Sequence, residues 1–452
     1  MRKTRMRTVL LCGLLALAGC RSPADTEPVC NNLADSLWTR KNGVDWPCFL
    51  GPTHDSVSTE KGIIPWPKDG LKLVWETILG EGYAPPTVAN GRLYHFDRFG
   101  DAARLTCRNA ETGERLWKFE YPTKYVDLYN YSGGPRCCPI IDEDRIYLHG
   151  VDGVLLCLKA TDGTEIWQHN TVKEFNIHQN FFGVGSTPIV EGDLLIVGVG
   201  GSPPGAVPDD FRKVKGNGTG IIAFDKKTGD IRYRITDELA SYSSPTVATI
   251  NGRRWCFYLA RTGLVGFEPT TGKVDFQFPW RARLLESVNA ANPIVIGDRV
   301  LITETYGPGA ALLKVQPGKH EVVWSDEEKD RNEKSMQCHW NTPIHVDGYV
   351  YGSSGRHENA DLRCIELATG KTMWDEGKLS RSSLMLVDGH FVCLTEDGVL
   401  LLLKVNPKKF DLVSRWELPE IKTPAWAAPV LSHGLLYIRG KDRLMCFELI
   451  KE

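Results

Sequence analysis

The feature that most restricts this chain is a pair of interleaved repeats, each recurring eight times. One is a turn followed by an aromatic residue: AETGERLW ends at Trp117, ATDGTEIW at Trp167, KKTGDIRY at Tyr233, PTTGKVDF at Phe276 and LATGKTMW at Trp374. Looser copies end at Trp75, Trp324 and Trp416. In the five tight copies Gly113, Gly163, Gly229, Gly272 and Gly370 stand where a turn needs positive φ. The residues behind each glycine alternate into a strand that carries the aromatic inward.

The second repeat is a strand opened by proline and turned straight back. PPTVANGRLY from Pro85, PIIDEDRIY from Pro139, PIVEGDLLI from Pro188 and PTVATINGRRW from Pro245 are followed by PIVIGDRVL, PIHVDGYVY and PVLSHGLLY. SLMLVDGHFV is the eighth copy, with Leu384 in place of proline. Most copies hold an Asn-Gly, Asp-Gly or Gly-Asp turn between two apolar runs, the mark of a tight hairpin. Units of roughly 41 to 57 residues, each reading as four short strands, have the scale of a propeller blade. The predicted fold is all-β: an eight-bladed β-propeller of four-stranded antiparallel blades over residues 45–452. Trp75 precedes the first proline strand, and nothing like it follows Pro429. The ring is therefore predicted to close by pairing a strand at 71–79 with the blade made by 424–449, so that no apolar blade face is left open.

With 42% hydrophobic residues, 44 glycines and 13 tryptophans, the chain has the material for a large core. Its formal charge of -2 offers no broad attraction to phosphate backbones, so nucleic acid is excluded as an expected partner. Residues 1–19 read as an export signal: a basic start, an apolar run from Thr8 to Leu17, then Ala18 and Gly19. Leu17-Ala18-Gly19-Cys20 resembles the lipobox of bacterial lipoproteins, which implies a lipid on Cys20 and a membrane anchor. Arg21 after that cysteine points to the outer membrane, and residues 20–44 read as a tether. Of 13 cysteines, eleven remain after Cys12 and Cys20, so not all of them pair. Cys107, Cys157, Cys364 and Cys446 sit in apolar strands as buried thiols, and Cys30 with Cys48 is a candidate disulfide.

The IIAFDKKTG type of turn before an inward aromatic, with the WPCFLGPTHDSVS opening, resembles the tryptophan-docking repeat of the pyrroloquinoline-quinone β-propeller family. The resemblance runs over about residues 45 to 450. It implies that the anchors wedge between neighbouring blades. The family contains quinone-dependent alcohol and sugar dehydrogenases as well as non-catalytic members, including the lipoprotein subunit of the outer-membrane β-barrel assembly machine, and fold alone does not choose between them.

Residues just ahead of each innermost strand are expected to converge on one mouth of the channel. They are Tyr83, Arg136, Cys137, Cys138, His178, Tyr242, Asn289, Asn292, His339, Trp340, Asn341, Arg381 and Trp426. Such a set can stack a planar ligand and hold anionic groups on Arg136 or Arg381, although any propeller mouth is polar. Quinoprotein alcohol dehydrogenases have a vicinal disulfide near the quinone, and the adjacent Cys137 and Cys138 are either that or two ordinary thiols, one buried and one facing the channel. The calcium that accompanies the quinone needs carboxylate and amide oxygens, for which Glu286 with Asn289 and Asn292 is the nearest constellation. No Cys-x-x-Cys-His haem motif occurs, so an enzyme of this type needs an external electron acceptor. The Gly/Pro-rich stretch at 200–220 reads as either a face-capping insertion or a loose loop. The expected function is a lipid-anchored binding or scaffold protein of the cell envelope with protein partners. The alternatives are a dehydrogenase using pyrroloquinoline quinone and calcium, and a glycan- or peptide-binding module that stacks its ligand on Trp340 and Trp426.

Overall fold

In a computed structural model, which describes residues 35–452 apart from 179–180, 206–210, 285–286, 357–359 and 420, every second-repeat segment supplies the innermost strand of a sheet. Proline is tolerated there because the channel-facing edge needs no ladder N–H. The hairpins behind these strands are tight. In the first, Asn90 and Gly91 take φ of +51° and +71°, the conformation a two-residue hairpin of right-handed twist requires. Eight antiparallel blades follow at 87–122, 140–170, 189–235, 246–279, 294–325, 344–376, 382–417 and 430–448. Blade 8 receives its outer strand from Lys72–Ile78, which pairs antiparallel with Arg443–Glu448 and places Trp75 opposite Cys446. The ring closes as predicted.

Each blade carries a register shift in its outermost strand, and in seven of them it falls just before the anchor aromatic, as between Arg115 and Trp117 in blade 1. A bulge adds local twist and re-aims the following side chain, here across the seam to the next blade. The Trp75 indole donates to the Ala110 carbonyl at 2.9 Å, Trp167 to Lys226 at 3.2 Å, Trp324 to Leu367 and Trp374 to Asn406, both at 2.8 Å. The Tyr233 hydroxyl does the same to Pro269 at 2.6 Å. The ring of each lies over the next blade's turn, where a Cβ on Gly113 would stand 2.7 Å from Trp75 and one on Gly229 3.0 Å from Trp167. The repeat glycine thus answers to the neighbouring blade's indole as well as to its own φ.

Two anchors differ from the sequence reading. The blade 5 turn is only two residues long and offers no such platform, so Phe276 packs on His320 at 4.9 Å. In blade 7 the register position belongs to Ser414, whose hydroxyl donates to the Trp66 carbonyl at 3.2 Å. Trp416 stands two residues further on, over Gly70. The core accordingly follows the seams: buried clusters join blades 1 and 2, 2 and 3, and so on around the ring, and one cluster spans blades 7, 8 and 1.

The N-terminal part enters the ring before it closes it. Residues 35–44, expected in the tether, lie against the blades: Leu37 donates to Asn90 O at 3.0 Å and Arg40 pairs with Glu448 at 2.8 Å. Trp46 exchanges two backbone bonds with Val88 of blade 1, and Ile141 of blade 2 donates to Pro47 at 2.8 Å. Val57–Ser58 then pairs parallel with the innermost strand of blade 7, Ser382–Val387, with Leu386 N donating to Ser56 O at 2.8 Å. This is the blade that lacks the opening proline, and its inner strand is six residues long where most others have three. Helix is limited to Thr171–Phe175 and single turns, and no helix among the described residues is long and apolar enough to cross a membrane. The export signal, Cys20 and Cys30 lie outside the described residues, as does part of the 200–220 insertion; Cys48 carries a free thiol.

Candidate functional site

The connections into the innermost strands, together with the loops from second to third strands, surround a cup of about 610 Å³ at one mouth of the channel. Phe49, Leu50 and Ser56 of the N-terminal crossing form its floor. Tyr83, Arg136, Tyr242, His339, Trp340, Asn341, Arg381 and Trp426 line it, as the sequence pattern predicts.

Other expected members are elsewhere. Cys137 and Cys138 are both fully buried and unbridged, so neither faces the channel; burial pushes Cys137 up to about 12 and Cys138 well above the usual thiol value, so both stay protonated and unreactive. His178 does not line the cup. Asn289 is a structural amide, donating to the Ala260 and Trp280 carbonyls at 2.7 and 3.0 Å. Asn292 accepts from Ser244 N at 2.8 Å and borders a second cavity of about 370 Å³ with Cys48 and His54.

The wall is aromatic on most sides. Trp426 lies 4.6 Å from Tyr83, 5.4 Å from Trp340 and 6.2 Å from Tyr131, while Tyr131, Phe182 and Tyr242 continue the belt at 5.7 Å steps. Cations stand over these rings: Arg381 is 4.4 Å from Trp340, Arg356 is 4.4 Å from Tyr306 and Arg136 is 6.0 Å from Tyr83. Burial raises the phenols of Tyr83, Tyr242 and Tyr306, so all three remain hydroxyls.

One network organises the site. Glu396 takes both forks of Arg381 at 3.0 and 2.6 Å and accepts the Trp426 indole N–H at 2.8 Å. Arg381 also reaches His339 Nδ1 at 3.0 Å, and His339 Nε2 meets the Tyr306 hydroxyl at 2.8 Å. A guanidinium only donates, so Nδ1 accepts and the imidazole keeps its proton on Nε2, directed at Tyr306. Across the cup Arg136 is held by Asp127 at 2.6 Å and by the Gly134 and Ser132 carbonyls, which ties down the 123–135 loop carrying Tyr129 and Tyr131. Glu396, Tyr306 and Arg356 escape the sequence reading because they follow second strands, where no proline marks the place.

An eight-bladed ring locked by docked indoles, with an aromatic and cationic cup at one mouth, defines a β-propeller of the pyrroloquinoline-quinone repeat class. A family model described as Outer membrane protein assembly factor BamB matches residues 56–207 and 198–410, and the chain belongs to that family. Among curated proteins, it is 24% identical over 240 residues to Quinohemoprotein alcohol dehydrogenase ADH-IIG of Pseudomonas putida, covering 51% of this chain and 30% of that protein. It is 25% identical over 157 residues to Quinohemoprotein alcohol dehydrogenase of Comamonas testosteroni, covering 33% and 19%. These matches therefore span less than a third of either relative. The solved structure of the Comamonas testosteroni enzyme superposes with a TM-score of 0.62 at 14% identity, over 90% of this chain and 81% of that one. BamB from Moraxella catarrhalis gives 0.55 at 13% identity, over 84% and 98%. Likeness at such identity establishes fold.

The fold family implies a quinone accompanied by calcium. Calcium takes six to eight oxygen ligands with carboxylates among them. No carboxylate lines the cup among the described residues, and the two nearby, Asp127 and Glu396, are engaged by Arg136 and by Arg381 with Trp426. Nor do any three His, Cys, Asp or Glu side chains among the described residues meet in a metal-holding group. Glu286, the carboxylate expected from sequence, lies outside the described residues. The described walls do not fit calcium.

Proposed function

We propose that this protein is a binding or scaffold component of the cell envelope, tethered through a lipid on Cys20 at the outer membrane and facing the periplasm, with the cup as its recognition surface. The observation that carries the reading is the pre-built wall: aromatic faces held in place by a hydrogen-bonded Arg381–Glu396–Trp426 network, with its carboxylates committed to support. Sites of this kind bind through rigid rings and a few fixed polar groups. The BamB family match supports an envelope location. The test is a photo-crosslinking residue at Tyr131 or Tyr83 in cells, positions at the rim of the cup. Capture of defined envelope components, lost when Trp340 and Trp426 are replaced by alanine, is expected; no adduct from either position overturns the reading. A Cys20→Ser chain is expected in the soluble periplasmic fraction.

The second reading, a quinone-dependent dehydrogenase, is favoured by the similarity to two quinohemoprotein alcohol dehydrogenases. Calorimetry of the mature protein with pyrroloquinoline quinone and calcium decides it, and absence of binding at micromolar concentrations removes it.

A further inference from the structure

Among the described residues, two cup side chains each carry a buried polar atom with no hydrogen-bond partner. Asn341 is 4% exposed and its Nδ2 donates to the Ser353 carbonyl at 3.0 Å, which fixes its Oδ1 as the other amide atom. That Oδ1 is buried with no hydrogen-bond partner, although Asn341 lines the cavity. An orphaned buried acceptor is costly and is relieved by any donor that enters. Arg356 is the second: Arg136 and Arg381 are each neutralised by a carboxylate, whereas Arg356 has no acidic partner among the described residues and its Nε is unbonded. The cup thus offers one uncommitted positive charge and one waiting acceptor, which asks for an anion that also carries O–H or N–H groups.

Shape narrows the choice. Trp340 and Trp426 are inclined at 47°, Tyr83 and Trp426 at 45°, and Tyr131 and Trp426 at 58°. Trp426 is thus stacked flat on none of these three neighbours, and a puckered ring presenting C–H groups on several sides meets such inclined faces well. The volume of about 610 Å³ lies within the roughly 300–1,000 Å³ usual for small-molecule sites.

We propose that the cup binds an acidic sugar, its carboxylate on Arg356, a ring hydroxyl on Asn341 Oδ1 and its C–H faces against Trp340 and Trp426. The assignment rests on the cup being a recognition surface. Calorimetry of the full mature protein with a digalacturonate, its dimethyl ester and a flat aromatic acid provides the test. The acid disaccharide is expected to bind about tenfold or more tighter than its neutral ester. Arg356→Gln, which removes the guanidinium over the Tyr306 ring, is expected to erase that difference while keeping ester binding. Asn341→Ala is expected to weaken both sugars, with its melting curve checked for an intact fold. No binding of the acid disaccharide, an unchanged acid-to-ester ratio in Arg356→Gln, or tighter binding of the flat acid overturns the assignment. If the sugar fails while crosslinking from the rim persists, only the ligand class is wrong; if both fail, the recognition reading falls too.

Discussion

Gly113 and Gly252 have nearly the same backbone, with φ of +75° and +76°, yet only Gly113 lies beneath an indole; around Gly252 there is nothing within 4 Å. Gly252→Ala is expected to cost about 1–2 kcal/mol, the usual penalty of a left-handed alanine. Gly113→Ala must in addition push Trp75 off its carbonyl, adding about 1–3 kcal/mol of overpacking, and urea midpoints of the two variants isolate the docking term. A second residue-scale effect concerns Glu304, which accepts Tyr306 N at 2.8 Å, Gly307 N at 2.9 Å and the Ser287 hydroxyl at 3.1 Å. Burial raises its carboxyl to about 7 from an ordinary 4.5. Between those values the folded state keeps a proton that the unfolded state has lost, so this group's contribution to stability declines as pH rises through the window. Glu304→Gln removes the titration. Its stability relative to the parent is expected to rise from pH 4.5 to 7, by up to about 3 kcal/mol, in denaturation at stepped pH. A flat difference refutes the assignment.

At the scale of elements, the N-terminal crossing is fastened by Glu60, whose carboxylate accepts Val44 N at 3.3 Å, His433 N at 2.8 Å and Gly434 N at 2.7 Å. Glu60→Ala leaves these amides without an acceptor. The expected loss is about 2–3 kcal/mol, together with faster hydrogen exchange at His433, Gly434 and Leu386, while blades 3 to 5 stay protected. The blades are legible in the sequence because their signals are local: a turn glycine, a proline and an aromatic at fixed spacing each follow from the geometry of one hairpin. The crossing is not legible, because WPCFLGPTHDSVS has no alternation to read and its place is set by partners at Val88, Ile141 and Leu386, far along the chain. The cup falls between the two. Residues ahead of a proline strand are flagged by that proline, so Tyr83, Arg136 and Trp426 are found, and Arg381 is found from the matching place in the copy that has Leu384 instead. Glu396 sits past a second strand with no marker, and its role as joint support of Arg381 and Trp426 exists only in three dimensions.

For the whole molecule, stability is shared among seams, and the one between blades 7, 8 and 1 depends on both ends of the chain. Removing residues 443–452 deprives Lys72–Ile78 of its only strand partner and exposes Trp75, Leu436 and Met385. Such a chain is expected to lose its cooperative melt and to associate on size-exclusion columns, whereas removal of 451–452 is expected to be tolerated. A ring joined this way also has a timetable. Polymerisation runs from the N-terminus, so the strand around Trp75 is made before any complete blade and its mate, at 443–448, only after the seven blades between them. Until then each inter-blade contact that forms leaves a half-built arc with two raw flanks. Release from whatever shields those flanks waits for residues 443–448, so a copy that stops short of them advertises itself by a permanently gaping circle.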